Sequence, residues 1–150
     1  MYEKEILAWF KRNNRDLPWR GAEPWAVLVS EIMLQQTPVQ RVLPVYQEWM
    51  AKWPTPQKLA AASPAEVITA WGRLGYPRRA LRLHQCAKVI TEEYKGQVPE
   101  TEPELRALPG IGEYTAAAMV AFAFEGRSLV LDINIRRLFA RLYKGEESPK

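Results

Sequence analysis

The chain has 150 residues, 47% of them hydrophobic, and a formal net charge of +4. That length and apolar content suit one compact domain with a sizeable core. The single cysteine, Cys86, excludes a disulfide framework and a cysteine-rich metal site held by this chain alone; no stretch is long and apolar enough to span a membrane, and the positive charge permits a polyanionic partner such as nucleic acid without requiring one.

The first segment, "MYEKEILAWFKRNN", mixes charges with apolar residues at helical spacing. It lacks the apolar run of a secretory signal, so a cytoplasmic protein is expected. Residues 25–41, "WAVLVSEIMLQQTPVQR", read as an apolar helix with Glu31 in its middle and Gln35, Gln36 and Thr37 at its end. Proline then punctuates the chain. Thr37-Pro38, Thr55-Pro56 and Ser63-Pro64 each pair an N-cap residue with proline at the first helical position. They predict helices in "VQRVLPVYQEWMAKW", "QKLAAA" and "AEVITAWGRL", the first of them kinked at Pro44. "RRALRLHQCAKVITEEYKG" predicts a longer helix ending at Gly96. A short helix follows Thr101. The turn in "LPGIGEYTAAAMVAFAFEG" opens an Ala-rich helix that stops at Gly126. "SLVLDINIRRLFARLYKG" predicts a short apolar run and a helix capped by Asp132. The expected fold is all-α, with about nine or ten short helices.

Four constellations could carry chemistry. In "LPGIG", Gly110 and Gly112 flank one apolar residue between two helices. Glycine permits positive φ and close approach of a phosphate, and the following helix N-terminus favours an anion. This is the logic of a hairpin that grips a nucleic-acid backbone without reading bases; an ordinary helix connection is the plainer alternative. Asp132 lies 20 residues after Gly112. N-capping alone explains it; the functional reading is a carboxylate held at a helix start and pointing into a cleft. Glu31 sits among Val27, Leu28, Val29, Ile32, Met33 and Leu34. Taken alone, it is best read as solvent-facing or paired with an arginine. In a semi-apolar pocket it becomes a general acid instead. Two carboxylates in unlike environments are what cleavage of a glycosidic bond requires. The fourth constellation is "WGRLGYPRRALRLHQC", where Arg73, Arg78, Arg79 and Arg82 surround a Leu-Gly-Tyr turn. It reads as a basic helix start or as a minor-groove wedge flanked by arginines for phosphates. His84 has no evident metal partner, and no Gly-x-Ser-x-Gly supports serine catalysis.

From about Leu17 onward these residues resemble the helix-hairpin-helix DNA glycosylase superfamily, to which endonuclease III belongs. "LPGIG" followed by Asp132 carries that resemblance; "SEIMLQQT", "RDLPWR" and "GRLGYPRRA" look like the MutY-type adenine DNA glycosylases within it. The resemblance implies a six-helix barrel module over residues 21–136, its hairpin near 104–124, preceded by an N-terminal helix and loop over 1–20. Residues 137–150 would begin a following domain. It implies a base-excision enzyme that flips adenine out of a double-stranded DNA mismatch with 8-oxoguanine or guanine.

By the same resemblance Glu31 protonates the departing adenine, Asp132 stabilises the sugar cation, and Asn134 helps hold the site. Gln36 fills the place the adenine leaves. Thr37 and Leu74 contact the opposite base, Tyr76 is the wedge, and Arg15 and Trp19 line the adenine pocket. Tyr114 stands where endonuclease III relatives carry a lysine that forms a Schiff base. A phenol cannot do this, so a monofunctional glycosylase is expected. Tyrosine there also occurs in mismatch thymine glycosylases, which remain an alternative, as does a non-catalytic helix-hairpin-helix module. Ile133 departs from the glycine frequent between the aspartate and the asparagine. The family usually continues into a four-cysteine segment binding a 4Fe–4S cluster; with Cys86 alone this chain holds no cofactor, and it reads as a fragment, expected to act as a monomer and without a membrane.

Overall fold

Short helices dominate because proline and capping residues stop and restart the chain every ten or so positions. The structure, a computed structural model, describes residues 2–145, and among these it contains nine α-helices, one π-helical turn and no strand. They are α1 (Glu3–Asn13), α2 (Pro24–Met33), α3 (Val39–Lys52), α4 (Pro56–Ala60), α5 (Pro64–Trp71), α6 (Arg78–Glu93), α7 (Glu102–Ala107), α8 (Glu113–Ala123) and α9 (Ile133–Phe139), with the π-turn at Ala140–Lys144. The all-α expectation holds. The "SLVL" run forms no strand.

The capping signals act as written at four helices. Ser63 forms a full capping box with Glu66 at the start of α5. Thr55 caps α4, Thr101 caps α7 and Asp132 caps α9. At α3 the expectation fails. Its N-cap is Pro38 in extended conformation, with no side-chain cap. The Thr37 hydroxyl is drawn instead to Leu74 O and Arg79 (see below). Pro44 leaves α3 unbroken from Val39 to Lys52; it sits on the exposed side, so the carbonyl it leaves free can meet water. Helices α6 and α8 end in the same way. Lys95 and Glu125 adopt positive φ, and the next amides, Gly96 and Gly126, reach back to Ile90 O and Val120 O at 2.8 Å. At α8 the left-handed residue precedes the glycine, whereas at α6 Lys95 and Gly96 both have positive φ.

Helix α2 runs through the centre. Every residue from Trp25 to Met33 is buried except Glu31. A helix apolar on all sides belongs inside a bundle, and α3, α6 and α8 pack around it. Five of the six tryptophans are in the core. Trp49 meets Trp53 and Trp71 edge to face at 4.7 and 5.6 Å between ring centres. Two apolar surfaces stay outside. Helix α1 buries nothing, exposing Ile6, Leu7, Trp9 and Phe10, and Leu138 and Leu142 line a groove beside Ile6 and Trp9.

Leu59 has no exposed surface, so Leu59→Ala should cost about 3 kcal/mol through lost transfer energy and a cavity. Ser63→Ala should cost about 1 kcal/mol through loss of the capping box. Urea denaturation checks both, and the ranking must not invert.

Candidate functional site

The site begins at the one polar interruption of the central helix. Glu31 is half-buried, and among the described residues its carboxyl has neither an ion pair nor a hydrogen bond. Desolvation by burial therefore acts unopposed and pushes it up from 4.5 to about 7. The solvent-facing or arginine-paired reading is thereby overturned. The arginine nearest in purpose, Arg79, binds the backbone beyond it.

Helix α8 lies against α2. One turn after Glu31, Gln35 Nε2 donates to Thr115 Oγ1 at 3.3 Å, which fixes the end of α2 to the first turn of α8. Gln35 thus has a structural task that its place in the sequence does not disclose. Tyr114, next to Thr115, is partly exposed. Its phenol is raised first by desolvation, then by the charges of Glu31 and of Asp132. One hydroxyl thus feels both carboxyl groups, which lie 101 residues apart in the chain. Asp132 Oδ1 accepts from the Ile135 amide at 2.7 Å. Capping and a position beside Tyr114 are both true of it. Ser128 Oγ donates to Glu102 Oε2 at 3.2 Å and ties the segment before Asp132 to α7. A cleft of about 370 Å³ runs along this side, lined by Glu113, Tyr114, Leu131 and Arg136 among others. Asn134 and Ile133 are exposed on α9, and the structure gives Asn134 no partner among the described residues.

A second group forms where α2 ends. Gln36 has φ of +56° and Tyr76 of +49°, and both are exposed. Left-handed backbone in non-glycine residues costs roughly 1–3 kcal/mol and persists only where the surroundings over-determine it. Tyr76 also precedes a proline. Thr37 and Leu74, by contrast, are buried side chains. Thr37 Oγ1 donates to Leu74 O at 3.2 Å. The exposed tip of the 74–76 turn is therefore Tyr76, at 64% exposure, while Leu74 is its anchor, at 3%.

Arg79 was grouped above with arginines free to meet phosphates. The structure corrects this. It is buried, and Nη1 donates to Ile32 O at 3.1 Å, Met33 O at 3.0 Å and Gln35 O. Nη2 donates to Thr37 Oγ1 at 2.8 Å, Leu74 O at 3.2 Å and Gly75 O at 3.1 Å. No residue-level signal separates it from the neighbouring Arg78, which is exposed; only the helical register puts one inside and one out. Arg15 is exposed, and Trp19 is buried against Tyr46 with ring centres 5.1 Å apart.

At the hairpin, Gly110 has φ of +80°, and a Cβ there would sit 2.9 Å from Arg82 Cβ. The fold itself requires that glycine. Gly112 differs. Its φ is −92°, and a Cβ would meet nothing within 4 Å. The space in front of the α8 N-terminus is free for a ligand. Cys86 is buried, with its thiol pushed up to about 12, and no three His, Cys, Asp or Glu side chains converge among the described residues. With one cysteine, the residues of this chain do not fit a four-cysteine iron–sulfur cluster.

Similar proteins point the same way. The pattern described as "HhH-GPD superfamily base excision DNA repair protein" matches residues 29–150. A protein of Mycobacterium tuberculosis named adenine DNA glycosylase is 52% identical over 95% of this chain and 48% of its own length. One of the same name from Mycolicibacterium smegmatis is 53% identical over 94% of this chain and 49% of its own length. The chain thus spans about half the length of these curated relatives. Among solved structures, a thermostable thymine-DNA glycosylase superposes with a TM-score of 0.85 at 29% identity, over 91% of this chain and 64% of its own.

Two outcomes follow from this geometry. Folding raises the pKa of Glu31, so the folded state holds its proton more tightly than the unfolded one. The stability Glu31 contributes is complete below pH 4.5 and is lost as pH rises through about 7. Glu31→Gln, which stays neutral, should gain on the wild type above pH 7 by up to about 3 kcal/mol. Urea denaturation at pH 5 and pH 8 checks this; an equal difference at both would refute it. Gly112→Ala should cost under about 1 kcal/mol, as a change at a helix N-cap, whereas Gly110→Ala should cost more because its φ is forbidden to alanine.

Proposed function

Since the chain belongs to the HhH-GPD superfamily of base excision DNA repair proteins, we propose that its parent protein removes adenine mispaired with 8-oxoguanine or guanine. The reaction is hydrolysis of the N-glycosidic bond after the adenine has left the stack. One observation carries this reading: Glu31, raised to about 7, and Asp132, at a helix start, act on the same phenol, Tyr114.

The chemistry divides between the two carboxyl groups. Protonated Glu31 gives its proton to a ring nitrogen of the adenine, N7 by family resemblance, and so makes the base a neutral leaving group. As the C–N bond breaks, positive charge develops on the sugar, and the Asp132 carboxylate faces it. Water then adds at the sugar carbon and loses a proton, leaving free adenine and an abasic site. Tyr114 lacks an amine, so no Schiff base forms and the strand is not cut by that route. Asn134 supports Asp132 from the first turn of α9, and Arg15 and Trp19 border the base. Gln36 and Tyr76 enter the duplex from their exposed turns; Leu74 and Thr37, expected by resemblance to contact the opposite base, are buried and support those turns from behind. Gly110 and Gly112 hold the backbone at the α8 N-terminus, where free amides favour a phosphate.

The relatives' remaining length supports placing the 4Fe–4S cluster and the recognition of 8-oxoguanine outside this chain. The N-terminal helix and loop over 1–20, with residues 137–150, would then be the surfaces that this remainder covers; the exposed apolar faces of α1 and α9 agree with that. The protein would work as a monomer on chromosomal DNA in the cytoplasm.

Full-length protein should excise adenine from an A:8-oxoguanine duplex, and Glu31→Gln should abolish excision while duplex affinity holds. The single-turnover rate should fall as pH rises above about 7, where Glu31 loses its proton. Excision of thymine from G:T duplexes with adenine untouched would select the mismatch thymine glycosylase instead, and binding without excision would select the non-catalytic module.

A further inference from the structure

We propose that Arg79 is a positioning residue that couples the two segments entering the duplex, so that the end of α2 and the 74–76 turn move as one body. Its guanidinium divides its donors between them. Nη1 serves the α2 end through Ile32 O, Met33 O and Gln35 O. Nη2 serves the turn through Leu74 O and Gly75 O, and takes Thr37 Oγ1 between the two. Thr37 in turn donates to Leu74 O. The two exposed left-handed residues, Gln36 and Tyr76, flank this one group.

The turn is tied down from a third side. Arg79 lies 5.1 Å over the Trp71 ring, and Trp71 Nε1 donates to Gly75 O at 2.9 Å. The Tyr76 ring lies 5.7 Å from the same guanidinium. Tyr76 cannot change its backbone without disturbing a group that also holds Gln35, and Gln36 is under the reciprocal constraint. A planar fork with fixed donors can bridge two sets of carbonyls; an ammonium, a single point with three donors, cannot span both.

The inference rests on the reading of Gln36 and Tyr76 as duplex-entering, and the test separates the two. In full-length Arg79→Lys, amide hydrogen exchange at residues 35–37 and 74–76 should accelerate together by about tenfold, with α3 and α5 unchanged. Affinity for the A:8-oxoguanine duplex relative to a fully paired duplex should fall about tenfold, with affinity for the paired duplex nearly constant. A purely structural role would instead lower both affinities alike. Thr37→Val removes one acceptor and keeps the charge; it should give the same paired acceleration at smaller size, and it decides the matter if the lysine variant does not fold. Acceleration at one segment alone, or an unchanged affinity ratio, would overturn the coupling. A wild type that shows no mismatch preference would sink the functional reading, while the exchange measurement would still decide whether Arg79 couples the segments.

Discussion

A guanidinium at the C-terminal end of a buried helix holds this structure's working parts in register. Helix α2 lies inside the bundle, so its last carbonyls have little water to satisfy them, and orphaned buried carbonyls are expensive. Arg79 supplies donors to that end and brings a positive charge to the negative pole of the helix dipole. Hydrogen bonds to a charged donor contribute roughly 1.5–3 kcal/mol each, and several together offset the cost of burying the charge. The same group then spans to the 74–76 turn. With Gln35 bonded to Thr115, the end of α2 is fixed against both α6 and α8. The direction in which Glu31 faces follows from those attachments rather than from any contact of its own.

Glu31 and Asp132 show how one bundle makes two acids differ. Glu31 is the only residue between Trp25 and Met33 that is not buried, and desolvation alone acts on it. Asp132 lies at the start of α9, where an amide donates to its side chain. Apolar surroundings favour the neutral acid at Glu31, while the Asp132 side chain is held by the amide it caps. The Tyr114 phenol feels the charge of both.

The hairpin divides its two glycines in a similar way. Gly110 answers to the fold, through its left-handed backbone and the stem of Arg82. Gly112 answers to nothing inside the protein, which leaves its approach side open to a phosphate. Gln36 and Tyr76 likewise keep left-handed backbone at exposed positions. Strain of this kind clusters at functional surfaces.

The helical class, the caps at Thr55, Ser63, Thr101 and Asp132 and the Gly110–Gly112 hairpin could all be read from residue order. Each depends on local chemistry: a side chain meeting an amide three positions on, a proline opening a helix, a glycine allowing a turn. Other features could not be read this way. Thr37 carries the same signature as Thr55 yet bonds across 37 residues to Leu74 instead of capping α3. Arg79 stands among three other arginines of like composition and is buried, while they are exposed. The rise of Glu31 to about 7 depends on what α2 is packed against. Such properties belong to burial and to partners distant along the chain, and packing sets both: an arginine, a threonine or a glutamate takes its role from which side of the helix the neighbouring elements cover.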